Sequence, residues 1–167
     1  MLRTLRQICS VGIVTEPPGS GDESLRLRDA LQEHVREVLG RALCIRHVDA
    51  GSCNGCELEI HATTNPVYNI EGAGIRFVAS PRHADLLLVT GPVSAHMETA
   101  LRRTYEAMPD PKLVVAIGDC GCTGGIFGES YARRGRVAKV LPVDVAVPGC
   151  PPSPTRILQG ILTAIGR

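Results

Sequence analysis

The sequence predicts an α/β protein with a doubly wound parallel sheet, and the apolar pattern leads to this fold class. Short runs rich in Val, Ile and Leu alternate along the chain with longer segments of helical periodicity. The runs are continuously apolar, which is typical of strands that are buried on both faces of a parallel sheet. The length of 167 residues fits one domain.

Five apolar runs predict the strands, and most of them end near Gly, Ser or Pro. They cover residues 43–48, 75–79, 85–90, 113–117 and 143–147. Three segments predict helices, at residues 24–39, 94–108 and 153–165. The last of these has Ser153 as an N-cap, Pro154 in its first turn and a single apolar stripe. We expect the helix at 24–39 to cover a sheet edge or to lie on a partner.

The N-terminal segment divides the chain into two parts. Residues 15–22 are rich in Pro and Gly and predict a linker. We therefore expect residues 1–23 to form an appendage and linker, and residues 24–167 to form the domain, which starts with an N-terminal helix.

Charge and composition argue against several classes of partner. Lys and Arg number 18 against 17 Asp and Glu, and aromatic residues are few, so neither attraction to polyanions nor base stacking favours nucleic acid. No apolar run approaches the roughly 20 residues of a membrane helix. The N-terminus lacks a cleavage signal, so we expect a cytoplasmic protein whose cysteines are not paired as disulfides.

Four of the seven cysteines follow predicted strands, in segments rich in Gly or Pro. Cys53 and Cys56 lie in GSCNGCE, Cys120 lies in GDCGC and Cys150 lies in PGCPP. Because the carboxyl ends of parallel strands gather at one edge of a sheet, we expect these four thiols to meet there.

Four thiolates suit either an iron–sulfur cluster or a structural zinc ion. Zinc sites with four cysteines usually combine two C-x-x-C pairs, whereas this chain combines one such pair with two single cysteines, which favours a 4Fe-4S cluster. Cys122 is the alternative to Cys120 as the third ligand. Cys44 and Cys9 are interpreted as small hydrophobic side chains.

Four segments carry a family resemblance: GSCNGCELEI, PRHADLLLVTGPV, GDCGCTGGIFG and VDVAVPGCPPSP. They resemble the small subunits of NiFe hydrogenases and the related 20 kDa NADH:quinone oxidoreductase subunit of complex I. The resemblance covers residues 45–162. It implies a flavodoxin-like domain with one 4Fe-4S cluster at the C-terminal edge of the strands, and it places the cluster ligands at Cys53, Cys56, Cys120 and Cys150.

The spacing of Cys53 and Cys56 is similar to that of the first cysteine pair in hydrogenases. The quinone-reducing relative differs, because it has two adjacent cysteines at this place. The segment IRHVDAGSCNGCELE resembles energy-converting hydrogenases and formate hydrogenlyase. The resemblance implies an electron-transfer subunit that is not catalytic alone and lies next to the NiFe site of a large subunit. A ferredoxin-like iron–sulfur subunit and integral membrane subunits would be its other partners, at the inner face of the cell membrane.

Two other functions remain open on the sequence. The large partner could lack nickel, as in a complex I-like quinone oxidoreductase or a nickel-free hydrogenase-like complex. A zinc-stabilised binding module without redox function is the third interpretation.

Several charged residues lie near the cysteines. Glu57 and Glu59 adjoin Cys56, where a proton relay and a salt bridge to a partner are both compatible with the sequence. Asp119 precedes Cys120, and its negative charge would disfavour reduction of a nearby cluster. Arg46, His47 and Arg76 are basic residues that could tune such a cluster.

Overall fold

The computed structural model describes residues 21–166, so the predictions for residues 1–20, including Cys9 and most of the linker, lie outside the described residues. The helices are α1 (Gly21–Leu39), α2 (Gly55–Ala62), α3 (Ala95–Glu106), α4 (Gly118–Thr123) and α5 (Pro154–Ile165). The strands are β1 (Leu43–Asp49), β2 (Ile75–Phe77), β3 (Leu86–Thr90), β4 (Val93–Ser94), β5 (Leu113–Ile117), β6 (Arg133–Gly135) and β7 (Val145–Val147). Short 3-10 helices cover Pro81–His83, Gly125–Phe127 and Val137–Lys139.

Five strands form one parallel sheet in the order β2-β1-β3-β5-β7. If only these five strands are numbered in chain order, the strand order is 2-1-3-4-5, which is the order of flavodoxin-like sheets. The prediction of a parallel sheet with these five strands is therefore confirmed. The strands predicted at 75–79 and 143–147 are shorter than expected, because they are the two edge strands and pair along one side only.

The central strand β3 explains why the sequence pattern is continuously apolar. Leu86 and Leu88 are buried in one hydrophobic cluster, and Leu87 and Val89 are buried in a second cluster on the opposite face. Helices α1, α2 and α5 contribute to the first cluster, and α3 contributes to the second. Helices thus cover both faces, as a doubly wound sheet requires.

Helix α1 packs on its own chain. It begins at Gly21, three residues before the predicted start, so Gly21 and Asp22 belong to the helix and not to the linker. Leu31 and Val35 are buried in the first cluster, where α1 packs against α5. The apolar face that the sequence assigned to a sheet edge or to a partner is therefore covered by this chain.

The predicted Ser153 cap is present, and Ser94 caps helix α3 in the same way. The Ser94 hydroxyl accepts a hydrogen bond from the backbone N–H of Met97 at 3.2 Å, and the Ser153 hydroxyl accepts one from Arg156 at 3.5 Å. Within residues 21–166, no helix combines the length and the apolar character that crossing a membrane requires.

Two short helices and one small sheet were not predicted. Helices α2 and α4 span only eight and six residues, too few for an apolar periodicity to show, so the sequence suggested loops there. Strands β4 and β6 form a separate antiparallel pair. Consequently, Cys56 and Cys120 lie in the first turns of helices and not in loops.

Candidate metal centre

The topology places the four predicted ligands at one edge of the sheet. Cys53 and Cys56 follow β1, Cys120 follows β5 and Cys150 follows β7, and all three strands run parallel. Cys53 and Cys150 are exposed, whereas Cys56 and Cys120 are half-buried. The four cysteines therefore lie at the same edge of the sheet, and their joint role as ligands stays a prediction.

Electrostatic interactions between the thiols indicate that they lie near one another. Burial is the largest of the effects that raise the pKa of Cys56 to about 12, and Glu57 and the thiols of Cys120, Cys53 and Cys150 contribute the rest. Burial, then Cys150, Cys53 and Asp119, raise the pKa of Cys120. Nearby thiolates repel one another, and a positively charged group bound between them favours their ionised form.

The spacing of the thiols bears on the kind of group that they could hold. In residues 21–166, no three Cys, His, Asp or Glu side chains lie close enough together to hold a single metal ion. The four thiols thus lie near one another without forming a single-ion site among these residues.

Two glycines allow the backbone to approach the thiols closely. Gly118 has φ +81°, and a Cβ at this position would lie 2.5 Å from the Cys56 sulfur. A Cβ at Gly125 would lie 2.8 Å from the Cys120 sulfur. Both distances are shorter than real Cβ contacts. The backbone can approach these two sulfurs so closely only because Gly118 and Gly125 lack side chains.

A pair of hydrogen bonds joins the segment of Cys120 to that of Cys150. The Asp119 carboxylate accepts a hydrogen bond from the Gly149 N–H at 2.8 Å, and the Asp119 N–H donates to the Gly149 carbonyl at 2.9 Å. We call this pair the Asp119–Gly149 clamp. The sequence indicated only the charge of Asp119, because the contact joins residues that are 30 positions apart.

A second aspartate shapes the segment before Cys53. The Asp49 carboxylate accepts hydrogen bonds from the N–H groups of Gly51 at 2.8 Å and Ser52 at 2.7 Å. The Ser52 hydroxyl in turn accepts one from Asn54 at 3.1 Å, and Asn54 has a left-handed backbone with φ 72°. These bonds fix the turn that leads from β1 into α2.

Cys122 lies apart from the four grouped thiols. Its sulfur donates to the Ala116 carbonyl at 3.6 Å, and its side chain packs against the second hydrophobic cluster. Burial, followed by the charge of Asp119, raises its pKa to about 11. The choice of Cys120 as a metal ligand stays a prediction. Cys44 is half-buried on β1 and so is less buried than the sequence suggested.

A cavity of about 580 Å³ lies beside α2, and Glu57 faces it. Glu57 is buried, and neither carboxylate oxygen has a hydrogen-bond partner in the described part of the chain. His47 Nε2 lies 3.8 Å from Glu57 Oε1 and shares a hydrogen bond with the Thr90 hydroxyl at 3.1 Å. Burial lowers the pKa of His47 and so favours its neutral ring, while the nearby charge of Glu57 acts in the opposite direction. A buried carboxylate needs a partner, and the cavity is the space from which one can reach it.

The other sequence-predicted residues near the site are less central. Arg46 lines the same cavity, and its Nε is buried without a hydrogen-bond partner among the described residues. Glu59 is half-buried on α2, and Arg76 is exposed on the edge strand β2. Neither contributes a bond to the four-cysteine site.

Comparison with known proteins gives concordant matches. The family described as NADH ubiquinone oxidoreductase, 20 Kd subunit, matches residues 53–164. A probable membrane-bound hydrogenase subunit of Pyrococcus furiosus is 45% identical over 141 residues, which cover 83% of this chain and 84% of that protein. Formate hydrogenlyase subunit 7 of Escherichia coli is 42% identical over 149 residues, 89% of this chain and 57% of that one.

A solved structure is also similar to this chain. The structure of the membrane-bound sulfane sulfur reductase, an archaeal respiratory membrane complex, contains a chain that matches with a TM-score of 0.66 and 34% identity. The match covers 83% of this chain and 75% of that chain. These relatives are subunits of oxidoreductase complexes.

Proposed function

This chain belongs to the NADH ubiquinone oxidoreductase 20 Kd subunit family, and we propose that it is the electron-transfer small subunit of an energy-converting NiFe hydrogenase. In this proposal it carries one 4Fe-4S cluster next to the NiFe site of a large subunit. The observation that supports the proposal is that four cysteines follow the carboxyl ends of three parallel strands at one edge of the sheet, with Gly118 beside Cys56 and Gly125 beside Cys120.

The donor set fits a 4Fe-4S cluster better than a single ion. When bound, such a cluster takes up and releases one electron at a time. Its four irons each take one thiolate, which matches one C-x-x-C pair and two single cysteines, whereas four-cysteine zinc sites usually combine two C-x-x-C pairs. Cys53, Cys56, Cys120 and Cys150 would hold it, and Gly118 and Gly125 would leave room for it.

The exposure of the thiols suits electron exchange with another protein. Cys56 and Cys120 are half-buried beneath the backbone of Gly118 and Gly125, which limits the access of water. Cys53 and Cys150 are exposed, so a partner can approach the cluster from that side. The chain thus holds an electron carrier, and the large subunit catalyses the reaction.

The proposed partners are those that the family resemblance implies, and the names of two relatives support them. A membrane-bound hydrogenase subunit and a formate hydrogenlyase subunit support assembly with a NiFe-type large subunit, a ferredoxin-like iron–sulfur subunit and integral membrane subunits. In such an assembly this chain would lie at the cytoplasmic face of the membrane.

A second candidate function is supported by the solved relative and by the family description. The solved relative belongs to a sulfane sulfur reductase, and the family description refers to NADH ubiquinone oxidoreductase. The same cluster could therefore serve a complex I-like quinone oxidoreductase or a nickel-free hydrogenase-like complex.

Elemental analysis of the intact complex separates these functions. The complex is purified anaerobically through a tag on this chain, and iron, nickel, zinc and acid-labile sulfide are measured. Iron and sulfide with nickel are expected for the hydrogenase, and iron and sulfide without nickel would favour the second candidate. Zinc without iron would overturn the redox function altogether.

The ligand assignment has its own test. Cys120→Ser and Cys122→Ser variants are compared by iron content and by electron paramagnetic resonance of the reduced complex. We expect Cys120→Ser to lose the cluster signal and Cys122→Ser to keep it, because Cys122 hydrogen-bonds to Ala116 and packs away from the other thiols. The opposite result would assign the third ligand to Cys122.

A further inference from the structure

One loop next to the cysteine site has apolar side chains that are exposed to solvent. Three of the six exposed large hydrophobic side chains in the described part of the chain fall within residues 125–131. Ile126 is 95% exposed, Tyr131 is 97% exposed and Phe127 is 41% exposed. We call residues 125–131 the presenting loop.

The presenting loop is anchored by other groups. Its end is held by a hydrogen bond from the Ala95 N–H to the Ala132 carbonyl at 2.8 Å. The Arg133 guanidinium lies 5.0 Å from the centroid of the Phe127 ring, and Glu129 forms an ion pair with Lys139. The conformation of the loop is therefore fixed before anything binds to it, which lowers the entropic cost of association.

The loop is also tied to the metal site. The Gly124 N–H donates to the Cys120 carbonyl at 2.9 Å, and the position of a Gly125 Cβ would be only 2.8 Å from the Cys120 sulfur. The presenting loop therefore begins beside the proposed cluster ligand Cys120.

The charges around the presenting loop define the partner further. Arg133, Arg134, Arg136 and Lys139 outnumber Glu98 and Glu129 in this region. Arg134 and Lys139 each pair with one of these glutamates, and Arg136 is exposed. A partner with an apolar pocket and a rim of carboxylates complements this surface.

We propose that the presenting loop is the docking site of the large subunit, which receives Ile126 and Tyr131 in an apolar pocket bordered by acidic side chains. This inference rests on the proposed function, because the large subunit is the partner that must lie closest to the cluster. Rigid, exposed apolar anchors at the centre of an interface usually supply most of its binding free energy.

The test uses the complex purified anaerobically through a tag on this chain. The Ile126→Ser/Tyr131→Ser double variant is compared with Val38→Ser, which removes an apolar side chain of 52% exposure from α1. The amount of large subunit per tagged chain is measured by quantitative mass spectrometry. Iron and sulfide are measured in the same samples. We expect the double variant to keep iron and sulfide and to lose the large subunit at least about tenfold, while Val38→Ser matches the wild type.

Three results would overturn the docking site. The first is an unchanged amount of large subunit in the double variant, and the second is an equal loss of large subunit in Val38→Ser. The third is loss of iron and sulfide from the double variant, which would give the loop a structural role at the cluster. Failure of the proposed function is a different result, namely a wild-type complex without iron and sulfide or without a large subunit.

The charge component is tested with Arg136→Glu. We expect a weaker complex at low ionic strength and a smaller difference from the wild type at high ionic strength, because salt screens exposed charges. An Arg136→Glu complex that is as stable as the wild type at low salt would exclude an acidic rim on the partner.

Discussion

At the scale of single residues, Asp119 shows how one side chain can have a role that its charge does not suggest. Its negative charge disfavours reduction of a nearby cluster, yet its carboxylate and its N–H bind the backbone of Gly149. The Asp119–Gly149 clamp sets the distance between the segments of Cys120 and Cys150. The charge at this position is therefore accompanied by a positioning role.

Substitutions at Asp119 separate the hydrogen bond from the charge. Asp119→Asn keeps a carbonyl oxygen that can accept from the Gly149 N–H, so we expect it to retain the iron of the wild type. Asp119→Ala leaves that N–H without its partner and should lower the free energy of unfolding by about 2 kcal/mol and the iron content with it. Both are measured by chemical denaturation and iron analysis, with Asp110→Ala as an exposed control. Equal iron loss in Asn and Ala variants would show that the charge matters and the hydrogen bond does not.

The backbone next to Cys56 leads to a second prediction. Gly118→Ala places a Cβ 2.5 Å from the Cys56 sulfur in a backbone with φ +81°. Gly40→Ala meets a similar φ of +61° with no atom within 4 Å. We expect both to lose about 1–2 kcal/mol of stability from backbone strain, and only Gly118→Ala to lose iron. Iron analysis of the two purified variants checks this, and equal iron content would contradict a close approach at Gly118.

At the scale of the elements, the parallel strands are aligned by aspartates at their N-terminal ends. The Asp85 carboxylate accepts hydrogen bonds from the Cys44 N–H at 3.0 Å and from Arg41 Nη1 at 2.9 Å, and its own N–H donates to the Cys44 carbonyl. Asp144 binds Val114 in the same double manner, at 2.7 Å and 2.9 Å. Each aspartate fixes the register between its strand and the neighbouring one.

This arrangement predicts unequal effects for the two partners of one ion pair. The Asp85 side chain is only 13% exposed and also binds the Cys44 N–H, so Asp85→Ala should cost about 2 kcal/mol of unfolding free energy. The Arg41 side chain is 59% exposed, so Arg41→Ala should cost less than about 1 kcal/mol. Urea denaturation of both variants provides the measurement. Equal losses would mean that the ion pair, and not the backbone bond, is the important contact.

The sequence predicted elements well where their pattern is local. The strands and the helices α3 and α5 follow from runs and stripes of apolar residues together with Ser caps. Helices α2 and α4 are too short for such a pattern, and β4 and β6 comprise only two and three residues that pair across 40 positions. For these elements the deciding contacts are tertiary.

At the scale of the whole molecule, the fold and the metal site are separable. The two hydrophobic clusters are formed by the sheet and its helices, and of the four cysteines at the strand ends only Cys56 packs against one of them. The fold therefore does not depend on a metal for its core, although a cluster would join three segments that are far apart in sequence.

Removal of the metal tests this separation. We expect chelated, iron-free protein to keep its far-ultraviolet circular dichroism and to lose at least about 3 kcal/mol of unfolding free energy, because a tightly bound group stabilises only the folded state. Limited proteolysis should become faster at the segments around Cys53, Cys120 and Cys150. Iron-free protein without secondary structure would show that the hydrophobic clusters alone do not sustain the fold.

The sequence alone determined the parallel α/β sheet, the order of most elements and the set of four cysteines that the strand topology brings together. It did so because buried strands require continuous apolar runs and because parallel strands collect their carboxyl ends at one edge. Only the tertiary structure decided the Asp119–Gly149 clamp, the burial of Glu57 beside its cavity and the exposure of Ile126 and Tyr131. These features depend on contacts between segments that are distant in the chain, and residue type does not encode which segments meet.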